Sequence, residues 1–168
     1  MSKVPSPACD SPASERLVPS PVGLLRVSVS DTALTGVWLN ARGAPDHSTP
    51  QALMAEVIAQ LSAYFAGTLH TFSLPLHLDG TPFQRDVWTA LQDVPYGATC
   101  SYAELAERIG KPDAVRAVGA ANGQNPIPIV IPCHRVIGKD GSLTGFGGGL
   151  KMKAWLLAHE SGQPRLDF

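Results

Sequence analysis

Residues 125 to 135, Asn-Pro-Ile-Pro-Ile-Val-Ile-Pro-Cys-His-Arg, constrain the fold of this chain more than any other stretch. Ile127, Ile129, Val130 and Ile131 form a short apolar run punctuated by Pro126, Pro128 and Pro132. A β-branched run that short and that bounded predicts a buried extended segment. Pro128 and Pro132 each remove a backbone donor, which excludes an ordinary central strand. Proline also fixes its own φ and narrows the choices of the residue before it, so the backbone here is stiff. A thiol (Cys133), an imidazole (His134) and a guanidinium (Arg135) follow directly, on the rigid support a reacting group needs. Two readings of Cys133 stand side by side. One is a buried core cysteine, the commoner fate of a free Cys; the other is a nucleophile activated by nearby cations.

With 168 residues the chain can bury a core, as one domain or as two small ones. An apolar share of 44% beside 16% charged residues excludes a disordered chain. No apolar run has the length of a membrane span and no secretory leader is present. Three cysteines without C-x-x-C spacing make no disulfide framework, and with the five histidines they show no zinc spacing. A cytoplasmic protein without metal, cofactor or membrane contact is expected. The net charge of −1 argues against nucleic acid only as a total. Residues 1 to 79 hold four Lys/Arg against six Asp/Glu, whereas residues 108 to 153 hold seven against two, a local balance of +5. Phosphate binding follows the local patch, so a basic second half fits DNA; scattered solvated charges fit the same counts.

The Ser/Pro-rich residues 1 to 20, with Cys9 among them, read as a disordered leader. Alternation of Leu25, Val27 and Val29 with Arg26, Ser28 and Ser30 predicts a strand, and Leu34 to Leu39 a second one in an antiparallel hairpin. Leu53, Val57, Leu61 and Phe65 predict a core-facing helix that starts near Pro50, is capped by Ser48 or Thr49, and stops at Gly67. Leu69 to Leu78 is expected to be a further strand. These elements make an N-terminal α/β domain over 21–79. A C-terminal domain over 80–168 opens with Thr81-Pro82-Phe83-Gln84, a capping box with Pro at the first helical position. Ser101-Tyr102-Ala103-Glu104 is a second capping box. Its short helix ends at Gly110, and another runs from Asp113 to about Gly123, a helix-turn-helix pattern. That second helix is rich in Ala and Gly, which lets another surface approach closely; tight packing on a neighbouring helix is the competing reading.

Pro132-Cys133-His134-Arg135-Val136-Ile137-Gly138, preceded by Asn125-Pro126, resembles the active-site signature of the O6-alkylguanine-DNA alkyltransferases. Thr81 to Gln84, Val87-Trp88, Pro95-Tyr96-Gly97, Ser101-Tyr102, Arg116 to Gly119, Gly148 to Leu150, and Leu156-Leu157 with Glu160 look like family landmarks in family order. The resemblance is dense from about Gly80 to Glu160 and looser from about Pro21 to Phe65. It implies a ribonuclease H-like antiparallel sheet domain followed by a helical, winged-helix-like domain. It also implies DNA repair by single, irreversible transfer of an alkyl group from guanine in double-stranded DNA to Cys133, with the target base flipped out through the minor groove.

By that resemblance His134 takes the thiol proton through a water, Glu160 orients His134, and Tyr102 donates toward the leaving base. Asn125 organises the turn into the site. Arg116, Ala117, Gly119, Ser101 and Arg135 fall on the DNA side, with Arg116 filling the gap left by the flipped nucleotide. Phe146, Gly147 and Gly148 wall the base pocket; Phe146 stands where some relatives carry Tyr. Arg135 also reads as a salt-bridging scaffold residue, Tyr102 as a buried aromatic, His134 as structural and Glu160 as a surface charge. A monomer is expected, with cooperative assembly on DNA and O4-alkylthymine as a second lesion left open. A non-catalytic lesion binder, a helix-turn-helix regulator and a thiol hydrolase are the rival functions. Cys133 argues against the first, the absence of an activating module in this chain against the second, and the DNA-directed helix pair against the third.

Overall fold

The computed structural model describes residues 14 to 164 apart from His47 and Thr49. Three strands, β1 (Ser14–Ser20), β2 (Gly23–Val29) and β3 (Leu34–Trp38), form one antiparallel sheet in that order. β1 and β2 pair from Ser14↔Val29 to Ser20↔Gly23 around a tight turn at Pro21 and Val22. The expected leader is therefore corrected: Ser14–Ser20 is a strand, while Cys9 and residues 1–13 lie outside the described residues. Pro19 hid it, yet β1 is an edge strand, where a missing donor costs no ladder bond. The β2–β3 hairpin agrees with the alternation in the sequence, with a bulge between Ser28 and Val29.

Helix α1 (Ala52–Phe65) lies on this sheet and buries Met54, Val57, Leu61, Tyr64 and Phe65. The predicted cap is not used. Gln51 holds the N-cap position without a side-chain bond, and the Ser48 hydroxyl instead accepts from Arg16 Nη2 at 3.1 Å; Thr49 lies outside the described residues. Leu69 to Leu78 is not a strand either. It touches the sheet at one bridge, Leu34↔Leu76, where Leu34 donates to Pro75 O at 2.8 Å and His77 donates to Leu34 O at 2.9 Å. Pro75, lacking an N–H, limits the ladder to that bridge.

The second half is helical. Helices α2 (Pro82–Leu91) and α3 (Tyr102–Arg108) start on the capping boxes of Thr81 and Ser101. α3 ends before Gly110, whose φ of +73° suits glycine, and α4 begins at Val115 rather than Asp113, without a side-chain cap. Trp88 locks α2 to α4 by donating to Ala121 O at 2.8 Å. Strands β4 (Cys100–Ser101) and β5 (Val136–Ile137) pair in parallel, and α5 (Leu150–Ser161) closes the chain. The result is an α/β fold: a small antiparallel sheet with one helix, then a helical half. None of the described helices is long and apolar enough to cross a membrane.

The proline-punctuated stretch is buried as expected but not extended. Ile127, Ile129 and Ile131 are wholly buried. The chain doubles back instead, with Ile131 donating to Ile127 O at 2.9 Å and Ile129 at φ +75°. A left-handed β-branched residue costs about 1–2 kcal/mol, which burial of each isoleucine side chain, worth about 1.5–3 kcal/mol, offsets. The Asn125 amide clasps the loop, donating to Ile131 O at 2.8 Å and accepting from Ile127 N at 2.9 Å. β3 joins it through Val37, which donates to Pro126 O at 3.0 Å.

Candidate active site

The clasped loop delivers Cys133 as the first residue of a single 3-10 turn, Cys133–Arg135. Cys133 is 5% exposed and borders a cavity of about 230 Å³. Asn122, Asn125, Pro128, Phe146 and Gly147 line it, together with Val37 to Leu39 from the end of β3. Burial pushes the Cys133 thiol up to about 11, against the Asn125 hydrogen bond and the charge of Lys153. At neutral pH the thiol therefore keeps its proton and needs a base to lose it.

The next residue along the chain is an imidazole. His134 is wholly buried and its Nε2 lies 2.6 Å from Glu160 Oε1. Burial alone would raise the Glu160 carboxyl, but hydrogen bonds and charges from His134 and Arg135 outweigh it and hold the group well below the usual carboxylate range. An ionised carboxylate only accepts, so Nε2 carries the hydrogen and Nδ1 the lone pair. Nδ1 is buried and has no hydrogen-bond partner among the described residues. Burial lowers the His134 pKa, with the Glu160 hydrogen bond pulling against it, so the imidazole is neutral and free to take a proton.

Arg135 is where its sequence assignment to DNA fails. It is 6% exposed, and its guanidinium donates to Glu160 Oε2 at 2.8 Å, to Glu160 Oε1 at 3.0 Å and to Val94 O at 2.6 Å. The alternative scaffold reading is the one its surroundings support. Two matches to known sequences cover both halves: a family model described as 6-O-methylguanine DNA methyltransferase, ribonuclease-like domain, over residues 14–78, and its DNA binding domain over residues 82–162.

The chain belongs to the 6-O-methylguanine DNA methyltransferase family. Its relatives include the methylated-DNA–protein-cysteine methyltransferase of Mycolicibacterium paratuberculosis, 53% identical over 150 residues, covering 86% of this chain and 90% of the relative. The protein of the same name from Mycobacterium tuberculosis is 47% identical over 156 residues, covering 90% and 94%. The crystal structure of Mycobacterium tuberculosis OGT in complex with DNA superposes with a TM-score of 0.81 at 46% identity, covering 91% of this chain and 96% of that one.

Within this methyltransferase frame the remaining predicted residues fall into two groups. The Tyr102 hydroxyl accepts from Thr144 Oγ1 at 3.1 Å and donates to Thr144 O at 3.4 Å, one residue before the cavity wall at Gly145. Arg116 and Ala117 are exposed on α4, and Gly119 faces the Tyr102 ring. The Ser101 hydroxyl caps α3. Gly148 does not line the cavity; its carbonyl accepts from Asn40 at 3.3 Å, and a Cβ there would run into Met152 Sδ. Phe146 and Gly147 do line it.

Three contributors escaped the sequence reading. Lys153 belongs by sequence to the basic stretch, yet it is fully buried and donates to Thr144 O at 2.7 Å; burial lowers its pKa while Cys133 works the other way. With Arg135 also buried, the exposed cations between 108 and 153 are Arg108, Lys111, Arg116, Lys139 and Lys151, still in excess of Asp113 and Asp140. The β3 exit walls the cavity, and Tyr64 reaches Glu160 from α1 at 2.7 Å. Each looked like ordinary surface or core, and no local motif marks any of them.

Proposed function

We propose that this chain repairs DNA by direct reversal, moving a methyl or other alkyl group from O6 of guanine to Cys133. The observation that carries this reading is a thiol at a cavity, beside a neutral imidazole whose far nitrogen is held by a buried carboxylate. His134 accepts the thiol proton at Nδ1, directly or through one water, and Glu160 steadies the imidazolium that forms. The sulfur then attacks the alkyl carbon: an S–C bond forms and the C–O6 bond breaks, its electron pair leaving with guanine. Tyr102 donates toward the departing base, which takes up one proton and leaves as ordinary guanine. The proton lost from sulfur and the proton gained by the base balance. A thioether offers water no carbonyl to attack, so the thiol is not regenerated and each molecule acts once.

Double-stranded alkylated DNA is the partner. The target base must leave the stack to reach a recessed thiol. The small, exposed face of α4 allows close approach to the groove, and Arg116 enters the space the nucleotide vacates. Asn125 holds the loop that presents Cys133, and Phe146 and Gly147 wall the extruded base. The protein acts as a monomer in the cytoplasm. Duplex DNA with one O6-methylguanine, followed by intact mass and peptide mapping, tests this reading. The expected result is one added methyl on Cys133, saturating at one equivalent and absent in Cys133→Ala. Tight lesion binding with no mass change sinks it, and repeated turnover would mark a hydrolase.

A further inference from the structure

Glu160 is crowded with donors, and one of them comes from the other half of the chain. His134 Nε2 at 2.6 Å, Tyr64 OH at 2.7 Å and Arg135 Nη2 at 3.0 Å all converge on Oε1. Oε2 takes Arg135 Nε at 2.8 Å and the Gly97 N–H at 3.5 Å. Tyr64 sits in the last turn of α1 and is wholly buried. Among the described residues it is the one donor to this carboxylate from residues 14–78.

Its position is fixed independently of that bond. Phe65 and Tyr96 meet the Tyr64 ring edge-on at 5.2 and 6.1 Å between centroids, and Phe72 lies tilted at 5.5 Å. His159 packs at 5.3 Å and donates from Nε2 to the Tyr64 carbonyl at 2.7 Å, which ties the end of α1 to the residue before Glu160. Burial, then the charge and hydrogen bond of Glu160, push the Tyr64 phenol far above its ordinary range, so it stays a neutral donor at every working pH. Three donors share Oε1, and charge given to one is denied to the others.

We propose that Tyr64 is a positioning residue for the alkyl transfer: from the N-terminal half it holds Glu160 against His134 and sets how strongly the carboxylate draws on the imidazole. This rests on the function proposed above. The charged and titratable groups that face His134 are Glu160 and Lys153 from α5, its neighbours Cys133 and Arg135, and, through Glu160, Tyr64 from α1. Tyr96 and His159 pack on Tyr64 itself. Removing the phenol leaves Oε1 with more charge for the imidazole. Imidazolium is then favoured, and the neutral base is recovered only at higher pH.

Tyr64→Phe keeps the ring in its cage and deletes the hydroxyl alone. The rate constant for methyl transfer from an O6-methylguanine duplex to Cys133 is expected to fall about fivefold at neutral pH, the worth of one net hydrogen bond. The acid limb of the pH–rate profile is expected to move up by about half a unit or more. A fluorotyrosine at position 64 keeps the bond, strengthens its donor and moves the limb the other way. Phe72→Leu loosens the cage without touching the hydroxyl; it should lower the melting temperature and leave the limb in place. A wild-type rate and limb in Tyr64→Phe overturn the proposal, whatever happens to the melting temperature. Should the wild-type protein transfer no methyl, the functional reading fails. The His134 imidazole 15N titration in DNA-free protein then decides about Tyr64: a higher midpoint in Tyr64→Phe supports it, and an unchanged one overturns it.

Discussion

Cys100 and Cys133 are both buried, 2% and 5% exposed, and burial raises both thiols. They also lie near one pairing, since Cys100 in β4 pairs with Val136 in β5, which directly follows the 3-10 turn of Cys133. What surrounds them differs. The charges that act on Cys100 are Arg108 and Glu104, of opposite sign and opposite effect, and it lines none of the cavities described above. Cys133 has a cavity, the Asn125 amide, the buried Lys153 ammonium and, next along the chain, the His134 imidazole held by Glu160. On the function proposed above, burial therefore does not separate a core cysteine from a nucleophile. A base, a cation and room for a second molecule do.

The sharpest way to break the contrast is to disable the proposed base. Glu160→Gln removes the anionic acceptor that holds His134 in its working tautomer, and methyl transfer to Cys133 should fall about 100-fold, the usual worth of a positioned general base. Single-turnover rates on lesion duplex check this. The same variant should weaken the acid dependence of stability. The folded carboxyl of Glu160 is depressed, so its contribution is present above the ordinary carboxylate range and is lost as pH falls below it.

A smaller effect is expected at the cation. Lys153→Met should slow transfer about tenfold by taking a positive charge from beside the thiolate. Thiolate absorbance should appear at still higher pH than in the wild type, where burial has already moved the thiol from 9.0 to about 11. Because the folded value lies above the unfolded one, the neutral thiol stabilises the fold below pH 9 and that contribution is lost as pH rises to 11. Denaturant titrations across that window should show the slope, and Cys133→Ala should flatten it. The smallest effect belongs to the other cysteine. Cys100→Ala should cost about 1 kcal/mol of stability from the lost side-chain volume and leave methyl transfer unchanged. A transfer defect in that variant would erase the distinction between the two thiols.

Legibility in the sequence followed the range of the interactions. The capping boxes at Thr81 and Ser101 hold as read, because a cap is a bond between residues three apart. The β2–β3 hairpin and the apolar face of α1 were likewise visible as periodicity. Ser14–Ser20 was missed because its composition is that of a tail, and only the register with β2 makes it a strand. Leu69 to Leu78 failed in the opposite sense: its residues suit a strand, but Pro75 and the geometry of the edge at Leu34 allow a single bridge.

The site divides in the same way. The Pro-Cys-His-Arg run, its stiffness and its reactive groups were determined by the sequence itself, since they are neighbours along the chain. Tertiary structure decided which of those groups face the cavity and which face the core. Arg135 turns inward to Glu160 and Val94, Lys153 turns inward to Thr144, and Tyr64 arrives from 96 residues away to share the carboxylate with His134. No spacing in one dimension encodes such meetings. They depend on how α1 and α5 pack around one buried charge, where every donor must be found among residues the fold brings near.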